Sequence, residues 1–461
     1  MDFASLSSFL PEVARPHTKR VPFKDKMKWS LIILVIFYIL GYVPLFGLGE
    51  NSLQQFEFLS IILGASFGSI ISLGIGPIVT ASIVLQLMVG TKIIDLDLSV
   101  PGARQKFQGW QRSLSVAFII IEAIVYVAMG GLAPSAVYAG TALYTQLQIL
   151  LMVQLMIGGF LIMLMDDVIS KWGFGSGLSL FIAAGVSQQV FVRALNFLPS
   201  PTQPDVAAGA IPSLIQFLSM GDVTSALIQL AGLLSTFAVF AICVYGQSLK
   251  VEIPLSMGRV RGHSFKWPLN FFYTSNIPVI LVAALLANIQ LFGTLLSNWG
   301  LPLLGTFDNG VAVSGLVYWI ASPDVLRLAI TGGFTWVNVL QAVMYTLVMV
   351  VGSVIFSIFW MQTANMDASS QAKQIMRSGL QIPGFRRDER VLEKVLSRYV
   401  WTLTIVGGAA VGLLGALADL TGALSQGTGI LLAVMIVYKL YEEIARDHMM
   451  DMHPALKKFM E

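Results

Sequence analysis

Long apolar runs, each followed by a short polar segment, extend from near the start of the chain to near its end. Most runs have about 18 or more residues, which as a helix is enough to cross a hydrocarbon core about 30 Å thick. We therefore predict an all-α integral membrane protein with ten transmembrane helices. The predicted spans have the approximate bounds 29–47, 76–91, 114–133, 143–165, 177–197, 224–245, 270–292, 337–361, 400–418 and 424–441.

Residues 53–73 are also apolar, and whether they cross the membrane determines the topology. If they form one crossing together with 76–91, both termini and all the basic loops lie on the same side of the membrane. Of the lysines and arginines, only Arg193 and Arg327 then lie on the opposite side. Lysine and arginine concentrate on the cytoplasmic side of membrane proteins. The charge pattern thus predicts cytoplasmic termini and a segment 53–73 that enters from outside without traversing.

The tetrapeptide Gly74-Ile75-Gly76-Pro77 should interrupt this crossing. Glycine destabilises a helix, and proline removes a backbone donor. We expect a re-entrant half-helix, a bend, and then the second span. Freed backbone groups at membrane depth are tolerated only beside protein or a water-filled cavity, so the break indicates such a place near the centre of the protein.

The ten spans divide into two halves of five, at 29–197 and 224–441. Because five is an odd number, the halves have opposite orientations in the membrane, as in an inverted repeat. The other segments are predicted to be cytoplasmic. They are an N-terminal tail with an amphipathic pattern, two basic loops and a C-terminal tail, at 1–28, 247–268, 362–399 and 442–461.

The composition excludes a soluble domain and gives no sign of an enzyme. Only 11% of residues are charged and 56% are hydrophobic, whereas soluble domains have about 25% charged residues. All four histidines fall in tails or loops, so an intramembrane serine nucleophile would have no buried base. The string 173–177 lacks the spacing of a nucleophile or phosphate loop, and it predicts a helix start with Ser176 as the N-cap. We predict no catalytic residue, no metal site and no cofactor.

One acid, Glu122, lies in the middle of an otherwise apolar span. Buried carboxylates are costly in a membrane and mark candidate functional positions. Its plausible partners are Thr80 and Asn288, on other helices. Three interpretations remain open from these residues: a polar cluster that clips helices together, a proton relay, or ordinary packing.

Two aliphatic pairs with a spacing of four residues follow the glycine-rich breaks. Ile75 with Val79 and Leu178 with Ile182 each stand at the start of a helix. Such pairs usually face lipid or a protein core, so the spacing alone is a weak indication of a pore lining.

Several longer strings resemble the SecY family, the pore-forming alpha subunit of the Sec protein translocon, in its archaeal and eukaryotic branch. They occur in the same order from the second span to the tenth: LGIGPIVTASIVLQL (73–87), GFGSGLSLFIAAGVSQ (173–188), NIPVILVAALLANIQ (276–290), PGFR (383–386) and GTGILL (427–432).

The resemblance implies an hourglass pore between two halves, with an aliphatic ring at its waist formed by Ile75, Val79, Leu178, Ile182, Ile280 and Leu432. It implies a plug over residues 54–68, which include Phe56, Glu57, Phe58, Leu59, Ile61, Ile62 and Leu63. It implies a lateral gate whose polar cluster is Thr80, Glu122 and Asn288, which favours the clip among the three interpretations. The positions that match the family's docking region for the ribosome are Arg259, Arg261 and Arg386.

The implied function is a protein-conducting channel in the cell membrane that moves unfolded secretory polypeptides and releases signal sequences and transmembrane segments into lipid. The implied partners are SecE-type (gamma) and beta small membrane subunits, the ribosome, nascent chains with their signal sequences, and membrane lipid. The competing interpretation is a secondary transporter of a small solute, which also uses inverted repeats and broken helices. A transporter needs polar groups at its midplane, whereas this sequence has little there besides Glu122.

Overall fold

The computed structural model describes a bundle of long helices with small sheets at its ends. The described residues are 11–16, 21–51, 66–90, 93–94, 101–200, 205–257, 264–274, 277–308, 311–364, 366–377, 380–381, 388–424 and 427–452.

Five α-helices lie in the described residues of the N-terminal half. They are α1 (Phe23–Gly41), α2 (Gly76–Gly90), α3 (Pro101–Ala128), α4 (Ala142–Trp172) and α5 (Gly177–Leu195). The start of α4 is fixed by Thr141, whose side chain accepts a hydrogen bond from the Tyr144 amide. This N-cap satisfies one of the amides that a helix start leaves without an intrahelical partner.

The described residues after α5 contain both long and short helices. They are α6 (Ala210–Met220), α7 (Val223–Ser248), α8 (Ile277–Asn298), α9 (Gly315–Ile320), α10 (Val325–Thr331), α11 (Trp336–Thr363), α12 (Ala368–Arg377), α13 (Glu389–Leu420) and α14 (Gly427–Met452). Asp222 caps α7 by accepting a hydrogen bond from the Ser225 amide at 3.1 Å.

A helix lies at each of the ten predicted spans. Within the described residues, seven helices are long and apolar enough to cross a membrane, namely α3, α4, α5, α7, α8, α11 and α13. The other three are α1 and α14, which carry charged residues near one end, and α2, which has only 15 residues. The count of ten therefore stays a prediction.

Several predicted span boundaries differ from the helix ends, by 13 residues at the start of α3, by seven at the start of α8 and by eleven at the start of α13. The seventh span was placed from residue 270, but α8 begins at Ile277, because residues up to Asn270 belong to a strand. The ninth was placed from residue 400, but α13 begins at Glu389, where the Asp388 side chain accepts a hydrogen bond from the Arg390 amide at 2.9 Å. In both places hydropathy misjudged the ends because local pairing and capping determine them.

The predicted break before the second span is present. Gly74 has a φ of 56°, a left-handed conformation that favours glycine, and α2 begins two residues later at Gly76. The preceding residues form turns against α4. There Gly158 allows close approach, since a Cβ at this position would overlap the carbonyl oxygen of Ile70.

Among the described residues, three small antiparallel sheets accompany the helices, which the all-α prediction did not include. They are β1 (Glu50–Asn51) with β2 (Leu132–Ala133), β3 (Lys250–Met257) with β4 (Ser264–Asn270) and β7 (Leu380–Gln381), and β5 (Phe307–Asp308) with β6 (Val311–Ala312). In the β3–β4 hairpin, the paired residues run from Lys250↔Asn270 to Ser256↔Ser264. An apolar cluster joins this hairpin to α12 and to the first turns of α13.

We call the end of the bundle that carries the β3–β4 hairpin the hairpin side, and the opposite end the far side. The last turns of α14 lie on the hairpin side, since Lys250 of β3 pairs with Glu442 at 3.6 Å. The start of α1 lies there too, because Lys26 pairs with Asp447 at 2.6 Å. A large apolar cluster between the two ends contains residues of both halves.

Candidate functional site

The six aliphatic residues assigned to the ring come together in the structure. Five of them are buried members of the large apolar cluster that joins the halves, and Leu178 is partly buried against it. They come from four places in the fold: the start of α2, the start of α5, the start of α8 and the start of α14. Residues far apart in sequence thus converge at one apolar position between the two halves.

A cavity of about 680 Å³ lies next to this position, on the hairpin side. Five of the six ring residues line it, and Leu432 does not. Its other walls include the polar side chains of Gln86, Gln111, Lys439 and Glu443. The cavity therefore has walls of mixed polar and apolar side chains and an aliphatic floor, as expected for a funnel that narrows to an apolar constriction.

The three residues of the predicted polar cluster also lie together. The Asn288 side-chain amide donates to the Thr80 hydroxyl, with 3.0 Å between Nδ2 and Oγ1. The Thr80 hydroxyl lies 2.9 Å from the carbonyl oxygen of Gly76 and 3.4 Å from Oε1 of Glu122. The cluster thus connects α2, α3 and α8.

The bonds in this cluster differ in strength. A hydroxyl has one hydrogen to donate, so Thr80 cannot bond Gly76 and Glu122 fully at the same time. The shorter distance favours the Gly76 carbonyl, which leaves Glu122 with a long contact. The bond between Thr80 and Asn288 is therefore the main polar link between α2 and α8 within this cluster.

Apolar packing supports the same contact. A second cluster of buried side chains includes Ile119, Ala123 and Tyr126 of α3 together with Leu291 and Leu295 of α8. Burial of such groups stabilises a contact roughly in proportion to their area where the alternative is water, but much less where it is lipid. The polar link is thus one of two interactions that hold α8 against the N-terminal half.

Residues 11–16 lie on the hairpin side against α3 and α4. The Lys171 ammonium donates to the Glu12 carboxylate at 2.6 Å and to the carbonyl oxygen of Val13 at 2.8 Å. Arg112 of α3 pairs with Asp167 of α4 at 2.8 Å beside them. The hydrogen bond from Lys171 lowers the pKa of the Glu12 carboxyl below its usual range.

The profile of the SecY family matches residues 69–441, and that of the plug domain of Sec61p matches residues 35–68. The chain belongs to the SecY family.

Proteins and structures of known identity agree with this membership. The protein translocase subunit SecY of Methanothermobacter thermautotrophicus is 47% identical, over 99% of this chain and 98% of the relative. A solved structure described as a protein-conducting channel is 39% identical, with a TM-score of 0.83 and 98% of both chains covered. Sec61 in the canine ribosome–channel complex from the endoplasmic reticulum is 38% identical, with a TM-score of 0.80 and the same coverage of both chains. These matches give no support to the solute-transporter alternative.

Some predicted residues of this SecY-family chain lie outside the described residues. They are the seven plug positions Phe56, Glu57, Phe58, Leu59, Ile61, Ile62 and Leu63, and the three docking arginines Arg259, Arg261 and Arg386. The first ten residues, with their predicted amphipathic pattern, lie outside them as well.

Sequence reasoning missed two aspartates that contact the ring-bearing helices, Asp166 of α4 and Asp419 of α13. Both lie just beyond the predicted ends of apolar spans, where hydropathy gives no reason to single out an acid. A usable signal was present. Nine residues after Asp166, Gly175 belongs to a glycine-rich string, and eight residues after Asp419, Gly427 belongs to another. Each string leads into one of the ring-bearing helices.

Proposed function

We propose that the chain is the pore-forming subunit of a protein-conducting channel, which moves unfolded secretory polypeptides across the membrane and releases signal sequences and transmembrane segments sideways into lipid. The observation that carries this proposal is the meeting of six aliphatic side chains from both halves beside a cavity of about 680 Å³. The 39% identity to a solved protein-conducting channel supports it.

The chemistry of the ring suits a cargo without fixed sequence. A polypeptide in transit presents every kind of side chain, so a site that bound one kind tightly would stop transport. Aliphatic groups with several rotamers adapt to chains of different width. When the constriction is narrow, its apolar surface also resists wetting and so limits the leak of ions.

The lateral gate corresponds to the contact of α2 and α3 with α8 and α11. A signal sequence that leaves the pore toward lipid must separate these helices, and in doing so it breaks the bond between Thr80 and Asn288. The gate therefore couples opening to the hydrophobicity of the signal, because apolar residues that reach lipid supply the free energy for separation.

The proposed partners are SecE-type and beta small membrane subunits, nascent chains and the ribosome. The Sec61 relative belongs to a ribosome–channel complex, which supports the last of these. Arg259, Arg261 and Arg386 are proposed to dock the ribosome, since guanidinium groups pair with the phosphates of RNA. The proposed location is the cell membrane, with both termini cytoplasmic.

Substitution of one ring residue tests the proposal. Ile182→Ser places a hydroxyl in the constriction and should raise the resting ion conductance of the purified complex in planar bilayers, while translocation of a secretory precursor continues. The matched control is Ile157→Ser on α4, where the isoleucine is 48% exposed on the outer surface of the bundle. Equal conductance for the two variants and for wild type would exclude Ile182 from the constriction.

A further inference from the structure

Two aspartates that the proposed function does not use contact the helices α5 and α14. Oδ1 of Asp166 accepts a hydrogen bond from the Leu178 amide at 3.0 Å. Oδ1 of Asp419 accepts one from the Thr428 amide at 2.7 Å. Since α5 begins at Gly177 and α14 begins one residue before Thr428, both carboxylates bind the amide of the second residue in the helix.

Neither carboxylate belongs to the residue just before its helix, which is where a helix cap normally comes from. Asp166 is 12 residues from the amide that it binds, and Asp419 is 9 residues away, each on the preceding long helix. Ser176 stands in the N-cap position of α5 but makes no cap bond with its side chain. Ser176 is therefore the N-cap residue, as predicted, but the carboxylate of Asp166 on α4 takes the place of its hydroxyl in binding the helix start.

The two contacts are closely built. A Cβ at Gly177 would lie 2.7 Å from the Cα of Asp166, so only glycine lets α5 begin this close to α4. Asp419 is 5% exposed. It also accepts a hydrogen bond from the Tyr345 hydroxyl of α11 at 2.6 Å and one from the Thr428 hydroxyl. One carboxylate thus connects α11, α13 and α14.

In both helices a ring residue follows the capped amide after four residues. Ile182 follows Leu178, and Leu432 follows Thr428. Four residues of α-helix span about 6 Å, or roughly one turn. Any displacement of the helix start therefore moves the ring side chain with it.

The two contacts lie on opposite sides of the ring. The start of α5 is on the hairpin side, where the Phe174 amide donates to the Ser30 hydroxyl of α1 at 3.0 Å. The start of α14 is on the far side, since Arg193, near the end of α5, donates to the Leu424 carbonyl at 3.1 Å. The pairs α4–α5 and α13–α14 are the last two long helices of their halves, which is the relation expected for an inverted repeat.

We propose that Asp166 and Asp419 are symmetry-related positioning residues, which fix the starts of α5 and α14 and so hold Ile182 and Leu432 in the constriction from its two sides. This proposal rests on the proposed function, in which these side chains form the seal. A charged acceptor suits the task because the amides at a helix start carry partial positive charge and lack intrahelical partners.

The test is the resting ion conductance of the purified complex in planar bilayers, together with its thermal midpoint in detergent. Loss of a helix cap shifts a conformational equilibrium roughly fivefold, so Asp166→Ala and Asp419→Ala should each raise the resting conductance about fivefold. Asparagine keeps one acceptor oxygen, so Asp166→Asn and Asp419→Asn should restore much of the seal. The control is Asp222→Ala, which removes the cap of α7, a helix without a ring residue.

The outcomes separate the two proposals. If Ile182→Ser raises the conductance but neither aspartate variant does, the aspartates do not position the ring, and the proposed function stands. If Ile182→Ser leaves the conductance unchanged, the ring assignment fails first. If the aspartate variants lower the thermal midpoint as Asp222→Ala does and raise no conductance, their role is structural only, which also rejects the proposal. Tyr345→Phe, which removes one bond to Asp419, carries the test where an alanine variant does not fold.

Discussion

The substitution Thr80→Val tests the polar link between α2 and α8 with little change of shape, since valine keeps the branched side chain and removes the hydroxyl. It eliminates the bond of 3.0 Å from Asn288, whose side chain is 7% exposed and loses this partner in the closed gate. Hydrogen bonds between helices in membranes contribute about 0.6 kcal/mol on average and at most about 1.7 kcal/mol. The open state should therefore become more populated, by roughly threefold to about eighteenfold.

The expected phenotype is a lower hydrophobicity threshold for signals. A leucine near the centre of a span contributes up to about 0.6 kcal/mol to membrane insertion. The variant should therefore accept signals with about one to three fewer leucines than wild type. The measurement is translocation into proteoliposomes of precursors whose signals differ only in the number of leucines.

Two further variants make the comparison specific. Thr294→Val on α8 removes a hydroxyl that bonds the Gln290 carbonyl of its own helix at 3.0 Å, and it should leave the threshold unchanged. Glu122→Gln alters only the long contact of 3.4 Å and should shift the threshold less than Thr80→Val. If Thr80→Val and Thr294→Val have the same threshold, the bond between Thr80 and Asn288 does not hold the gate, and the reasoning is wrong.

Three other predictions concern packing, docking and pH. Gly412→Leu should lower the thermal midpoint by several degrees, because a Cβ at this position would lie 2.7 Å from a backbone carbonyl of α11. Gly185 has open space around it, so Gly185→Ala should leave the thermal midpoint unchanged. Arg386→Glu should weaken binding to empty ribosomes by about 1–3 kcal/mol at low salt, as measured by sedimentation. Arg377→Glu, in the same predicted loop, should weaken it less. Equal binding by wild type and Arg386→Glu would remove Arg386 from the docking site. A depressed carboxyl pKa contributes stability that is present above the unfolded pKa and is lost as the pH falls through the folded value. The protection of amides near Glu12 against hydrogen exchange, relative to the intrinsic rate at each pH, should therefore fall in acid, and in Glu12→Gln it should already be lower at neutral pH. Unchanged protection would contradict the ion pair.

The sequence determined the membrane class and the position of each long helix. Apolar runs of sufficient length have few alternatives to a membrane helix, because lipid offers no partner for backbone amides and carbonyls. It also predicted the break at Gly74, since glycine and proline act on the backbone where they stand. The grouping of Thr80, Glu122 and Asn288 was a hypothesis from polarity and position alone, and the structure brought them together.

The tertiary structure decided what depends on contacts between distant residues. Sequence gave no ranking of the bonds of Thr80, which follows from two distances around a single hydroxyl. It did not show that α13 begins eleven residues before the predicted span, because that start depends on a cap and on packing against the hairpin and not on hydropathy. It passed over Asp166 and Asp419 because an acid at the end of an apolar run looks the same whether it faces water or binds the start of another helix. Only packing brings a carboxylate to an amide 9 or 12 residues away, so its role depends on the positions of whole helices.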